Sequence, residues 1–484
     1  MDDFPINRPW ELVLAGTDES RLMRHLFPGD GGEHGAIAVA GLHLLPNRVR
    51  LLVRDVIPAE DGVDHLIGPR GYLMLRAQFV HRYVSHARDE RLVYLSVHNH
   101  GGFDHVEFSG ADLASHERGY PTLLDVVQGL PVGALVFAPA AVAGDVWLPS
   151  GDRVRLTQAT IVGPRRSILS PSPVAAPKAV ASPMFDRQVQ LFGEAGQQIF
   201  KHAKVGIIGL GGIGSQLAEL LGRLGVGAFV LIDLDRIDLT NLPRLIAARR
   251  TDVLITEATA KRFGILRPLL DRLRRRKVDL AARNIHRANH TARIEKIFGS
   301  IADQSVAEKL LDCDYIFLAA DAMIARFVFN SLVHQYLIPG VQVGARVVTD
   351  EDTGAVTDVF VASRPVVPGR GCLRCNSLIN AHKLQIEATF AEQAEAQKYG
   401  TESPAPSVVT LNAVAAADAV NMFQFYMTGL ASRDNWDGYL RFRPLDRSVT
   451  RDEPRGETHC SECGRLSPSR FARGDGTSLP TRTA

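Results

Sequence analysis

Three groups of residues in this 484-residue chain have the types and spacing to do chemistry. In LSVHNHGGFDHVEFSGAD an apolar run leads into His98 and His100, and Ser109 and Asp112 follow. Histidines at i and i+2 of a strand share a face, so both imidazoles can meet one zinc ion. A third ligand from Asp112 leaves the fourth position to water, the open geometry of a catalytic zinc site. Ser109, one helical turn before Asp112, could donate a hydrogen bond to a developing oxyanion, and a general base is still required. The second group is KVGIIGLGGIGSQLAELLGRLG, which reads strand, glycine turn, helix. Gly209, Gly211, Gly212 and Gly214 allow a tight turn and close backbone approach to phosphates at a helix N-terminus. Many nucleotide enzymes share that turn, and IDLDRIDLTNLPRL after it is more selective. Asp233 could bind a ribose, with Asp235 beside it. Asn241 and Arg244 suit the charge of a triphosphate and have no use in a dehydrogenase. The third group is Cys372 and Cys375 in GCLRCN with Cys460 and Cys463 in HCSECG. Four thiolates make a closed tetrahedral zinc site with no position for water, a structural site. Cys313 is left over, on an apolar run where a buried free thiol is expected.

The elements around these groups divide the chain. At this length two to three domains are expected. Residues 1–163 hold short strand-like runs such as AIAVAGLHLL and RVRLLVRDVI with a few amphipathic helices, an α+β pattern. Residues 164–182 carry Pro, Ser and Ala without apolar period and read as a semi-extended linker that could hold its neighbours well apart. In residues 183–464 strands alternate with helices, as in an α/β domain with a Rossmann-like, mostly parallel sheet. Residues 465–484 are polar and read as a disordered tail. With 55 Lys and Arg against 53 Asp and Glu, charge gives no case for nucleic acid or a membrane surface. No apolar run approaches a membrane span. The opening MDDFPINRPWELVLAG is acidic and unlike a secretory signal, so the expectation is a cytoplasmic protein.

Over residues 10 to 160 the chain resembles the JAMM (JAB/MPN) zinc isopeptidases, whose pattern is HxH, a short gap, then SxxD. That resemblance implies a glutamate base on an earlier strand, which Glu33 in GGEHGAIAVAGL matches, and cleavage after the C-terminal glycine of a ubiquitin-like protein. His34 and His105 fit no ligand position of that pattern. Residues 183 to 464 resemble the ThiF/MoeB and ubiquitin-activating superfamily, through FDRQVQLFGEAGQQIF at 185–200 and the D-x-D…NLxR run. The resemblance implies ATP with Mg2+, Asp233 on the ribose, and Asn241 and Arg244 on phosphates. It further implies Asp321 at the magnesium with Arg326 near it, and Arg187 as an arginine finger into a partner's site, hence a homodimer. The family's phosphate-binding lysine falls in an insert spanning 245–276. Lys277 fits best and Lys261 is the alternative. RLRRRK at 272–277 is expected to be a solvated helix face. No cysteine lies in 376–459, so the expected enzyme adenylates the C-terminal glycine of a ubiquitin-like protein and forms no thioester of its own. The product would pass to a conjugating enzyme or other thiol acceptor. The zinc domain would process or deconjugate the same carrier, in a prokaryotic conjugation system, for which antiphage defence is a context the fusion suggests. Activation of a sulfur carrier for biosynthesis, or a carrier-binding scaffold with one inactive site, are the alternatives.

Overall fold

Runs of apolar residues without polar alternation belong in strands that are covered on both faces. The computed structural model describes residues 4–67, 73–173, 182–350, 352–389, 406–431 and 437–482. Ten strands lie in the first part: β1 (Trp10–Ala15), β2 (Gly35–Leu44), β3 (Val49–Pro58), β4 (His65–Ile67), β5 (Leu73–Leu75), β6 (Val93–Asn99), β7 (Val132–Ala138), β8 (Ala141–Trp147), β9 (Arg153–Val162) and β10 (Ser167–Leu169). Seven of them close a barrel in the order β1-β3-β2-β6-β7-β8-β9, and β9 returns to β1. On β2 the small Ala36, Ala38 and Ala40 fill the barrel interior with Leu12, Leu51 and Leu95. Ile37 and Val39 alternate to the outside, where they pack with Phe79, Val84 and Tyr120 of helices Ala77–Asp89 and Gly110–Val127.

The second part is a sheet of eight strands: β11 (Lys204–Ile208), β12 (Ala228–Asp233), β13 (Arg293–Phe298), β14 (Tyr315–Leu318), β15 (Gly340–Thr349), β16 (Val356–Val366), β17 (Tyr439–Arg443) and β18 (Ser448–Asp452). Their order is β13-β12-β11-β14-β15-β16-β17-β18. The pairings from β13 to β15 are parallel, as expected of the alternating segment. Those from β15 to β18 are antiparallel, so "mostly parallel" holds for one wing of the sheet. Leu217, Leu221 and Leu224 of helix Gly212–Leu224 join Phe423 and Ile285 of the helices Val409–Met427 and Lys277–Ala288 in one core. Among the described residues no helix is long and apolar enough to cross a membrane.

Four expectations are corrected. The segment 465–482 is ordered and packed: Phe471 and Ala472 are fully buried, and Leu479 nearly so. Its polar composition hides those few apolar anchors, and most of its polar groups are hydrogen-bonded rather than solvated. On one side Ala472 N–H and Gly474 N–H donate to the carbonyls of His334 (2.8 Å) and Gln335 (3.0 Å). On the other, Arg54 of the barrel donates to the Phe471 carbonyl, and Arg473 pairs with Glu90. The two domains therefore do not stand apart: Val13, Leu52 and Val162 of the barrel share a core with Phe329, Leu332 and Phe471. The linker also begins later than expected, because β10 pairs with β9 and Val106 N–H donates to Pro171 O (2.9 Å). Residues 174–181 lie outside the described residues. Finally, the basic run at 272–277 is a solvated face only in part: Arg272, Arg275 and Arg276 are exposed, whereas Arg274 turns inward. Arg274 is buried against Asp238 (3.2 Å) and Asp271 (3.1 Å), Arg275 pairs with Asp252 (3.3 Å), and Arg276 lies over Phe298.

Candidate functional sites

The antiparallel pairing of β2 with β6 ends at Gly35 opposite His98. Continuing that register sets His34 opposite Asn99 and Glu33 opposite His100, so a glutamate two residues before β2 must stand beside the HxH motif. The His98 and His100 Nε2 atoms lie 3.2 Å apart. Asp112 Oδ1 is 3.6 Å from His98 Nε2, Asp112 Oδ2 is 3.4 Å from His100 Nε2, and Glu33 Oε1 is 3.8 Å from His100 Nε2. Zinc–nitrogen bonds of 2.0–2.1 Å give a tetrahedral edge of about 3.3 Å. The two imidazoles stand at that spacing, the Asp112 carboxylate turns one oxygen to each of them, and Glu33, His98 and His100 each offer an atom within 4.8 Å of the others. Nδ1 of His100 meets the Glu107 carbonyl at 3.0 Å, which fixes the tautomer and leaves Nε2 a free lone pair. Burial pushes the Asp112 carboxyl up, but the His100 and His98 imidazoles and the Ser109 hydroxyl outweigh it and hold the group well below the usual carboxylate range.

Ser109 reaches this site as the N-cap of helix Gly110–Val127. Its hydroxyl donates to Asp112 Oδ2 (2.7 Å), so an oxyanion role requires that hydroxyl to turn. His105 is exposed. His34 is not incidental: its ring joins Asp30 (3.0 Å) and Asp61 (3.6 Å), and Asp61 also meets His65 (2.7 Å).

The glycine turn lies at the carboxyl end of β11. Gly209 has φ +87°, and a Cβ there would come within 2.9 Å of Ala320 N, so the turn and the loop leading to Asp321 touch backbone to backbone. A Cβ on Gly214 would collide with the Gly209 carbonyl, and one on Gly212 with Asn412. Helix Gly212–Leu224 has Gly211 as its N-cap and no side-chain cap, the open N-terminus that suits a phosphate. Asp233 accepts from Leu210 N–H (2.6 Å) and Asp235 N–H (2.7 Å). Burial pushes its carboxyl up, and Lys277 opposes that. Lys277 Nζ lies 2.7 Å from Asp235 Oδ2 and 4.0 Å from Asp233 Oδ1, whereas Lys261 pairs with Glu257 (2.8 Å) on an insert helix. Of the two lysines, the fold brings Lys277 to the Asp233–Asp235 pair. Asn241 is buried and accepts from Asp238 N–H (3.1 Å), and Arg244 is half-buried one turn on. Asp321 is exposed beyond β14, and its charge opposes the downward push of burial on the Arg326 guanidinium. Arg187 stands exposed on the first turn of helix Asp186–His202 and makes none of the cluster's hydrogen bonds among the described residues.

Sequence reasoning missed Glu387. Its two carboxylate oxygens accept from Met323 N–H (3.0 Å) and Ile324 N–H (2.9 Å), capping the helix next to Asp321 from a distant segment. No local pattern marks such a long-range cap.

The cysteine pairs meet as their spacing requires. Cys372 and Cys460 Sγ lie 3.7 Å apart, Cys375 and Cys463 Sγ 3.6 Å. Zinc–sulfur bonds of 2.3 Å give an edge of about 3.8 Å. Cys375 N–H points at Cys372 Sγ (3.3 Å) and Glu462 N–H at Cys460 Sγ (3.5 Å), donors that suit thiolates. The donor set fits a structural zinc ion.

Comparison with known proteins bears on the second part of the chain. The tRNA threonylcarbamoyladenosine dehydratase of Escherichia coli is 42% identical over 74 residues, 15% of this chain and 28% of that protein. The sulfur carrier protein ThiS adenylyltransferase of Bacillus subtilis is 27% identical over 184 residues, 38% of this chain and 46% of that protein. The chain thus spans under half the length of either relative. A crystal structure of E. coli MccB with ATP is 22% identical with a TM-score of 0.42, covering 60% of this chain and 76% of that one. A family model described as ThiF family matches residues 185–463. That match takes in the glycine turn, the Asp233–Lys277 cluster and all four clustered cysteines over more than half of the chain, which belongs to the ThiF family.

Proposed function

We propose that the ThiF domain adenylates the C-terminal glycine of a ubiquitin-like or sulfur-carrier protein, and that the barrel is a JAMM-type zinc isopeptidase acting on the same carrier. The observation that carries the first half is the cluster of an uncapped glycine-turn helix, Asp233 and Lys277 at one end of the parallel strands, within a matched ThiF domain. A carboxylate oxygen of the carrier attacks the α-phosphorus of ATP, and the bond to the β-phosphate breaks to release pyrophosphate. Asp233 holds the ribose, Gly211 and Gly212 leave room for phosphates, and Arg244, Asn241 and Lys277 offset the charge that builds up on them. Asp321 would hold the magnesium ion, which neutralises phosphate charge when bound. Arg187 would act in the site of a second copy.

At the barrel, zinc held by His98, His100 and Asp112 would supply Lewis acidity. Glu33 takes the proton from the attacking water and returns it to the leaving amine. The 3.8 Å from Glu33 to His100 Nε2 is the observation that supports this reading. The name of the sulfur carrier protein ThiS adenylyltransferase relative favours a sulfur carrier as the second reading of the substrate.

The test is ATP–pyrophosphate exchange with each small glycine-terminated carrier protein of the source genome in turn. Exchange should need the carrier, vanish in Asp321→Ala, and persist in Glu33→Ala. Exchange without any carrier would instead indicate a small-molecule substrate. The carrier that supports exchange, fused through its terminal glycine to a reporter, should be cut by wild type and spared by Glu33→Ala; a fusion cut equally well by both sinks the isopeptidase half.

A further inference from the structure

The middle residue of the HxH motif has no part in the reading above, because its neighbours on the strand face the opposite side. Yet Asn99 is buried, and its amide makes two hydrogen bonds to one short segment. Oδ1 accepts from His34 N–H (2.6 Å), and Nδ2 donates to Gly32 O (3.1 Å). The amide has one orientation that satisfies both partners, since one is a donor and the other an acceptor. Glu33 sits between those two partners. The backbone ladder of β2 and β6 stops at Gly35 and His98, and the Asn99 side chain takes over where it stops.

This segment needs such a clamp. Gly29 and Gly31, at φ +98° and +72°, and Gly32 precede Glu33, and glycine-rich backbone is the most costly to order. The His34 ring is fixed between Asp30 and Asp61, so the residue after Glu33 is held twice. The Glu33 side chain is about 29% exposed and faces the cleft lined by His100, Ser109 and Asp112.

We propose that Asn99 is the positioning residue of the barrel site: it carries no metal and touches no substrate, but sets the Glu33 carboxylate at its distance from the two imidazoles. This rests on the isopeptidase reading of the barrel. One three-residue motif then supplies both metal ligands on one face and the clamp for the base on the other.

Asn99→Leu, of similar size, removes both hydrogen bonds. Partners that orient a reacting group are worth about 10–100-fold in activity. For the reporter fusion, kcat should fall by that factor with KM unchanged, while zinc content and carrier-dependent pyrophosphate exchange stay at wild-type values. The double variant Asn99→Leu with Glu33→Ala should be no slower than Glu33→Ala alone, because Asn99 acts through Glu33. Amide exchange at His34, read in the zinc-loaded protein without any substrate, should speed up in Asn99→Leu. A kcat that holds in Asn99→Leu, a further loss in the double variant, or an unchanged His34 amide each overturns the proposal. If Glu33→Ala itself leaves cleavage intact, the isopeptidase reading falls and takes the positioning role with it, which a failure at Asn99 alone does not do.

Discussion

Replacing Phe471 by Ala tests the most unexpected feature of the fold, the docking of residues 465–482 between the two domains. Phe471 is fully buried in a core that also contains Leu52 of the barrel and Leu332 of the ThiF domain, and the Arg465 guanidinium lies over its ring at 4.5 Å. Truncating a buried phenylalanine costs about 3–5 kcal/mol where neighbours cannot collapse into the cavity. The segment lies between the barrel and helix Met323–Tyr336, packed elements that cannot close on the cavity, so the upper part of that range applies. At about 1.4 kcal/mol per tenfold, the population with the segment detached should rise by roughly three orders of magnitude. Leu44 N–H reads that opening directly, because it donates to the Asp475 side chain (2.7 Å) and is released when the segment leaves. Hydrogen exchange of peptides covering residues 40–45 should accelerate by that factor, and should stay near wild type in Leu466→Ala, where the side chain is half exposed. Exchange at Leu44 within about threefold of wild type in Phe471→Ala would refute the reasoning, since the cavity cost would then fall elsewhere.

Two further outcomes are expected. Cys313→Ser should keep full adenylation and carrier transfer, because Cys313 is buried and burial pushes its thiol up, and wild type with ATP and carrier should show no reducible adduct on non-reducing gels; an adduct lost in Cys313→Ser would make it the nucleophile. Burial also pushes the Asp18 carboxyl, paired with Arg465 at 2.9 Å, up to about 6 from 3.8. The folded state then binds the extra proton between those values, so wild type should lose stability relative to Asp18→Asn as pH rises from 3.8 through 6, by something on the order of 3 kcal/mol. Urea midpoints across that range measure it, and a difference that is flat or grows with pH contradicts it.

What was legible in the sequence follows the range of the interactions concerned. The glycine turn, HxH with SxxD, and the CxxC pairs are short patterns whose geometry is set within one strand, turn or helix, and the fold brings each set together. The place of Lys277 beside Asp235 follows from the return of the insert along that strand end: Ile237 N–H donates to Arg275 O (2.8 Å) and Lys277 N–H to Asp235 O (3.1 Å). The closure of the barrel was not. It depends on β1 pairing in parallel with both β3 and β9, strands far away in sequence, and strand periodicity carries no partner information. The Asn99 clamp needed the register of β2 on β6, and the packed C-terminal segment needed its partner surfaces.

The closed barrel also explains why the domains are joined as they are. Most of its strand edges are paired, so strand addition to an open edge offers little for docking. Attachment must come from groups at the barrel's outer surface. Gly41 provides one such place: any Cβ there would collide with the Ala472 carbonyl, so the segment can lie directly on β2 and form the bridge between Leu42 and Gly474. Arg54 supplies a second, donating to the Phe471 carbonyl and to Ser469 Oγ (3.0 Å), while Arg465 returns a bond to the Arg54 carbonyl (2.7 Å). Arg465 stands two residues after Cys463. The four-cysteine knuckle thus fixes the start of the segment, and Arg482 fixes its end by donating its N–H to the Ala302 carbonyl (2.7 Å). Between those points the chain is bonded to the barrel on one side and to helix Met323–Tyr336 on the other. In that arrangement the two candidate sites are held on one framework, and the cysteine knuckle bears on the barrel through Arg465.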